Sequence, residues 1–163
     1  MNTIRIPTRA VSFVSAIVLI LLISPALADD PPNVELTYTK WVTISPGYPV
    51  MQGVVGGDIV GTFAGEVLGI TSIANNKIFP IEALYNIHDG TGDHSFTAQI
   101  QGNENDTKGF VGATNTLDGA IIDGWRLGAR VHVKYESFLC GEPNALDGIC
   151  YLGTIRIMPA SAN

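Results

Sequence analysis

The chain has 163 residues, 46% of them hydrophobic and 15% charged, with nine Lys/Arg against 15 Asp/Glu and a formal charge of −6. This acidic balance, with no Lys/Arg cluster anywhere, opposes nonspecific binding to DNA, RNA or anionic lipid, which needs a basic patch, so no nucleic-acid partner is expected. The length suits one domain and is too short for two ordinary ones.

The first 28 residues read as a targeting segment. Arg5 and Arg9 precede an apolar run over 11–23, followed by Ser24, Pro25 and Ala26-Leu27-Ala28, the small-residue pattern that signal peptidase cleaves. The run is short of the ~20 residues a membrane helix needs. The expectation is a signal peptide over 1–28 cut after Ala28, an exported product that is secreted or periplasmic, and no membrane span in the mature protein. Removing Arg5 and Arg9 leaves seven basic residues against 15 acidic ones, a formal charge of −8. Residues 29–33, DDPPN, form a flexible lead-in, because proline cannot donate to a sheet. A single domain is expected over 34–163.

Short alternating runs separated by turn residues follow. In VELTYTKWV, residues 34–42, Val34, Leu36 and Tyr38 share one face and Glu35, Thr37 and Thr39 the other, the period of a half-buried strand. Residues 45–57, rich in Pro and Gly, read as a loop. In GDIVGTFAGEVLG, residues 57–69, glycines recur every fourth position beside Ile59, Phe63 and Val67. Four glycines would cost a helix about 1 kcal/mol each relative to alanine, whereas on one face of a strand they permit the sharp coiling of a small closed barrel. Asn75 and Asn76 turn into KIFPIEALYNIH, residues 77–88, where Pro80 marks an edge or a bulge. HDGTGDH, residues 88–94, is a hairpin connection leading to Phe96, Ala98 and Ile100. Residues 102–108 read as a polar loop, 109–117 as a strand ending in a tight turn at Asp118-Gly119, and 120–122 as a further short strand. Clean alternation returns over 130–138 and 151–158.

Cys140 and Cys150 flank the segment CGEPNALDGIC between the last two strands. In an exported chain they read as a disulfide. They are too few for the usual four-ligand zinc site, and no metal or other cofactor is expected. About eight strands with one apolar face each predict an all-β domain, an antiparallel closed barrel, with a sandwich as the alternative.

The order GTFAGEVLG, ALYNI, SFTAQIQG, TLDGAIIDG and VHVKYESF resembles the allene oxide cyclase and dirigent barrels over about three quarters of the mature chain. That resemblance implies an eight-stranded barrel around an apolar cavity, in which members cyclise unsaturated molecules or guide radical coupling of phenols. No catalytic residue of that superfamily can be matched to a position here.

Candidate ligand-binding residues follow from the alternating faces. Tyr38, Phe63, Tyr85 and Tyr135 would line a barrel cavity, the tyrosines supplying hydroxyls among aliphatic side chains, although the same residues could simply fill the core. Trp125 and Arg126 read as a surface loop with one aromatic anchor, or else a binding rim. His88, Asp89, Asp93 and His94 combine two imidazoles with two carboxylates, yet these are also ordinary hairpin residues, and the metal reading is set aside. His132 reads as solvated, and Glu66 and Glu82 as residues of an exposed outer face rather than an acid/base pair. Asn105-Asp106-Thr107 matches a glycosylation sequon, and no hydrolase, zincin, P-loop or dinucleotide fingerprint occurs. The expected function is binding of a small apolar or aromatic molecule. The alternatives are a cyclase- or isomerase-like enzyme using the same cavity and a non-catalytic structural protein of the envelope.

Overall fold

The computed structural model describes residues 33–45, 48–71, 73, 75, 77–106 and 111–160. The segment read as a signal peptide, its cleavage point and almost all of the lead-in lie outside them. Eight strands follow one another: β1 (Val34–Ser45), β2 (Tyr48–Gly57), β3 (Gly61–Ile70), β4 (Ile78–Asp89), β5 (Phe96–Asn105), β6 (Thr114–Gly124), β7 (Arg130–Leu139) and β8 (Ile149–Met158). Each pairs antiparallel with the next, and β1 pairs with β8, so the sheet closes on itself without an edge. The seam sets Leu36 opposite Ile155 on the inner face and Glu35 opposite Arg156 on the outer one. There Arg156 Nη2 lies 3.0 Å from a Glu35 carboxylate oxygen.

Alternation decides which residues form the core, since successive side chains in a strand point to opposite sides of the sheet. Val34, Leu36 and Tyr38 of β1 are buried, as are Ala83, Tyr85 and Ile87 of β4 and Val131, Val133 and Tyr135 of β7. The interior is layered. Near the end bearing the short connections β2–β3, β4–β5 and β6–β7, Leu36, Ile87, Val131 and Ile157 pack fully buried. Above them Tyr38, Phe63 and Tyr85 form an aromatic layer with ring centroids 4.7 to 6.2 Å apart.

Small residues make room for those rings. Gly153 of β8 lies beside both Tyr38 and Tyr135 in the ladders. A Cβ there would stand 2.7 Å from the Tyr38 hydroxyl and 2.4 Å from the Lys134 carbonyl oxygen. Gly61 and Gly65 flank Phe63 on the concave face of β3, as the glycine spacing predicts. At Gly65 a Cβ would fall 2.6 Å from the Leu84 carbonyl oxygen. These contacts are tighter than any side chain tolerates, so the strands approach and coil where only glycine fits.

Several boundaries differ from the sequence reading. The Pro/Gly segment 45–57 is largely strand β2, not loop. Pro49 lies one residue beyond the last pair with β3, Val50 with Glu66, where its missing N–H breaks no bond to that strand. Gly57 ends β2 with a φ of 94° instead of opening the glycine strand, and Gly69 follows a bulge between Val67 and Gly69. The region 102–105 is the end of β5, not a polar loop, because alternating polar residues suffice where only the inner face is enclosed. Asp118-Gly119 makes no turn: β6 runs straight through it from Thr114 to Gly124, with Gly119 packed against the Gln99 carbonyl oxygen. Pro80 pairs with Asn103 and lies just past Ile81, the last residue paired with β3, close to the bulge. Cys140 and Cys150 are disulfide-bonded with Cα atoms 5.7 Å apart, closing a loop that contains the short 3₁₀ turn Leu146–Gly148.

Candidate functional site

The inward series of β1 does not stop at Tyr38. Two residues on, Lys40 takes the same face and is only 5% exposed. Its ammonium-bearing arm crosses the barrel. Nζ donates a hydrogen bond to the Tyr85 hydroxyl and lies 3.2 Å from Met51 Sδ. Five aromatic rings surround it: Tyr85 at 4.4 Å from Nζ to centroid, Tyr135 at 5.0 Å, Tyr151 at 5.4 Å, Phe63 at 5.7 Å and Tyr38 at 5.9 Å. All are within the range in which a ring face attracts a cation.

Glu104 reaches the same space from β5, where it continues the inward series Phe96, Ala98, Ile100 and Gly102. Its Oε2 accepts a hydrogen bond from the Tyr135 hydroxyl at 3.3 Å. Lys40, Glu104, Tyr85, Tyr135, Tyr151 and Met51 line a cavity of about 160 Å³, with Val42, Val67, Ile81, Ala83 and Leu117 completing an apolar wall. It opens at the end of the barrel that carries the cystine loop. A second hollow of about 230 Å³ shares Val42 and Tyr151 and extends to Leu146 and Asp147 of that loop. The larger trough of about 550 Å³ on the outer wall, by Glu82, Gln101 and Asp118, is open to solvent and lacks converging buried groups.

Burial controls the charge states here. Desolvation lowers the Lys40 pKa to about 7, opposed by the Glu104 carboxylate, so amine and ammonium coexist near neutrality. Desolvation raises Glu104, helped by Asp106 and resisted by Lys40 and the Tyr135 hydroxyl. Tyr38, Tyr85, Tyr135 and Tyr151 are all pushed up, chiefly by burial, and stay protonated. The buried Tyr38 hydroxyl has no hydrogen-bond partner among the described residues.

The four aromatic residues singled out from the sequence therefore come together, in two roles. Tyr85 and Tyr135 border the cavity, while Tyr38 and Phe63 form the packed layer beneath it. Lys40 and Glu104 escaped the sequence reading. The signal that could have found them is parity alone, Lys40 two residues after Tyr38 and Glu104 two after Gly102.

The other candidates lie elsewhere. Asp89 organises the β4–β5 turn: its carboxylate accepts from the Thr91 and His94 backbone N–H groups at 3.1 and 3.2 Å, and from the Thr91 hydroxyl. His94 in turn packs edge-on to Trp125 at 4.8 Å, and Arg126 lies 4.7 Å over that indole, at the end of the barrel opposite the cavity. Trp125 is thus the anchor of a surface loop. His88 is exposed on β4. His132 is not simply solvated, since its Nδ1 lies 2.7 Å from Asp118 Oδ1 across the β6–β7 ladder. Glu66 and Glu82 are exposed on the outer face, and Glu82 accepts a hydrogen bond from Gln99. Asn105 of the sequon ends β5, and Thr107 lies outside the described residues. Among the described residues, no helix is long and apolar enough to cross a membrane.

Neither a scan of protein-family models nor searches of curated proteins and of solved structures return a match to this chain.

Proposed function

We propose that this protein is an exported β-barrel that binds a small, mainly apolar or aromatic molecule at the mouth of the barrel. The observation that carries this reading is the cavity of about 160 Å³, apolar on most sides and met by a few inward polar groups, Lys40, Tyr85 and Glu104 among them. A concave apolar wall with a few converging polar groups is the usual form of a small-molecule site. The volume limits the ligand, because a cavity of about 150 Å³ holds roughly one benzene ring. The disulfide agrees with an oxidising compartment, and the apolar leader with export. The likeness to allene oxide cyclase and dirigent barrels adds the precedent of ligands held inside an eight-stranded wall.

Calorimetric titration with single-ring phenols tests this. One molecule is expected to bind per chain, and a Val67→Phe variant, which plugs the mouth without touching a polar group, is expected to lose the heat. Unchanged binding in the plugged variant would place the ligand elsewhere and end this reading.

A second reading, a cyclase- or isomerase-like enzyme, draws on a separate observation. Lys40 and Glu104 border one cavity, with the lysine pKa lowered and the carboxyl pKa raised, a pairing suited to proton transfer. Conversion of a bound unsaturated ligand by the native protein, abolished in Glu104→Gln, would favour it.

A further inference from the structure

Lys40 differs in situation from the other lysines of the described residues. Lys77 and Lys134 are exposed, whereas Lys40 is enclosed and its side chain forms part of the cavity wall. No carboxylate lies within ion-pair distance of it among the interactions described. Its partners are a phenol hydroxyl, a thioether and ring faces, none of which takes its proton permanently. Such a nitrogen presents a lone pair to whatever enters the cavity.

We propose that Lys40 captures a small aldehyde or ketone as an imine, so that the ligand class of the mouth cavity is a carbonyl compound with an apolar body of about one ring. This rests on the reading of the mouth as a ligand site and names its chemistry. The step balances without any further reagent. The neutral Lys40 nitrogen attacks the carbonyl carbon, a C–N bond forms, and the C=O π pair moves to oxygen. That oxygen takes up a proton as the nitrogen loses one, giving a neutral carbinolamine. A proton relayed from solvent through the Glu104 carboxylate then reaches the hydroxyl, which leaves as water while the nitrogen lone pair closes the C=N bond. The resulting iminium returns a proton to the Glu104 carboxylate. Overall, one amine and one carbonyl give one imine and one water.

Each part of the site serves that sequence. The lysine pKa of about 7 leaves a substantial neutral fraction at neutral pH, as imine-forming lysines in apolar sites require. Tyr85, bonded to Nζ, fixes its direction, and Tyr135, bonded to Glu104, fixes the carboxyl. Tyr135 and Tyr151, edge-to-face at 5.6 Å, offer an aromatic wall to the ring of the ligand.

The test is reductive trapping. The full chain is incubated near neutral pH with benzaldehyde, borohydride is added, and the benzyl adduct is located by peptide mass spectrometry. The chain's own exposed Lys77 and Lys134 serve as internal references. Trapping at Lys40 is expected to exceed that at either by at least tenfold, and to be lost when Val67→Phe closes the mouth. A Tyr85→Phe variant, which keeps the amine but removes its hydroxyl partner, is expected to reduce trapping several-fold while remaining folded. Equal labelling of Lys40, Lys77 and Lys134, or none at Lys40, would overturn the proposal. If single-ring phenols still bind in that case, the noncovalent reading of the mouth survives alone. If they do not, both fall.

Discussion

Lys40 on β1 donates a hydrogen bond to the hydroxyl of Tyr85 on β4, across the interior of the barrel, although neither strand borders the other in the sheet. The contact joins residues 45 apart in sequence and sits where the packed aromatic layer gives way to the cavity. A basic nitrogen is held there without a compensating ion pair. Burial disfavours its charged form, and the effect has a measurable sign.

In the unfolded chain Lys40 has the ordinary lysine pKa of 10.5, and in the folded chain about 7. Between those values the unfolded chain binds more protons, so stability rises with pH from about 7 toward 10. Above 10 the raised tyrosines reverse the trend, because unfolding then releases tyrosine protons. Glu104, whose pKa is also raised, contributes stability below its unfolded value of 4.5 that is lost as pH rises through its folded value. A Lys40→Met variant is expected to lose the rise between pH 7 and 10. At pH 7 it should gain on the order of 1 kcal/mol, after allowing for the Tyr85 hydroxyl left without its donor. Urea unfolding across that pH range measures both.

Gly153→Ala is expected to destabilise the barrel by about 1 to 3 kcal/mol, the usual cost of overpacking a core. The added methyl meets the Lys134 carbonyl oxygen and the Tyr38 ring, and neither the ladder nor the packed ring has room to retreat. Gly141→Ala, whose Cβ meets nothing, is the matched control and should unfold as the native chain does. Thermal melts of the two variants side by side decide the matter.

Breaking the Cys140–Cys150 bond by a double Cys→Ser substitution should cost roughly 2 to 3 kcal/mol, on the chain-entropy account of so short a loop. Because Tyr151 follows Cys150 directly and lines the cavity, phenol binding should also weaken in this variant. Calorimetry at a temperature where both proteins are folded separates the two effects. Full affinity would show that the loop does not hold the mouth.

At the opposite end, the hydrogen bonds from Thr91, and then those from His94, lower the Asp89 carboxyl to a pKa of about 2. The stability it contributes is present above the unfolded value of 3.8 and is lost as pH falls through about 2. Asp89→Ala is expected to blunt the acid limb of the stability profile and to speed amide exchange at Thr91 and His94, with ligand binding unchanged. Slow exchange retained at both amides would show that the carboxylate does not organise the turn.

The alternating runs, the glycine spacing over 57–69 and the paired cysteines pointed by themselves to an all-β chain of about eight strands, to a barrel ahead of a sandwich and to one disulfide, because period, turn chemistry and curvature are local properties, while closure itself rests on the pairing of β1 with β8. The same local rules misplaced β2 and split β6. Pro49 and Gly119 are breakers only when their surroundings are ignored, and here one lies past a ladder's end and the other where a neighbouring strand passes close. Tyr85 and Tyr135 were legible as interior residues, but not which layer each would occupy. Lys40 and Glu104 were invisible as a pair. A charge on an apolar face ordinarily marks the point where that face meets water, and only closure of the sheet turns both positions inward to the same cavity. The aromatic cage, the lowered lysine pKa and the limited room beside it all depend on strand register around the whole barrel, which no local stretch of sequence contains.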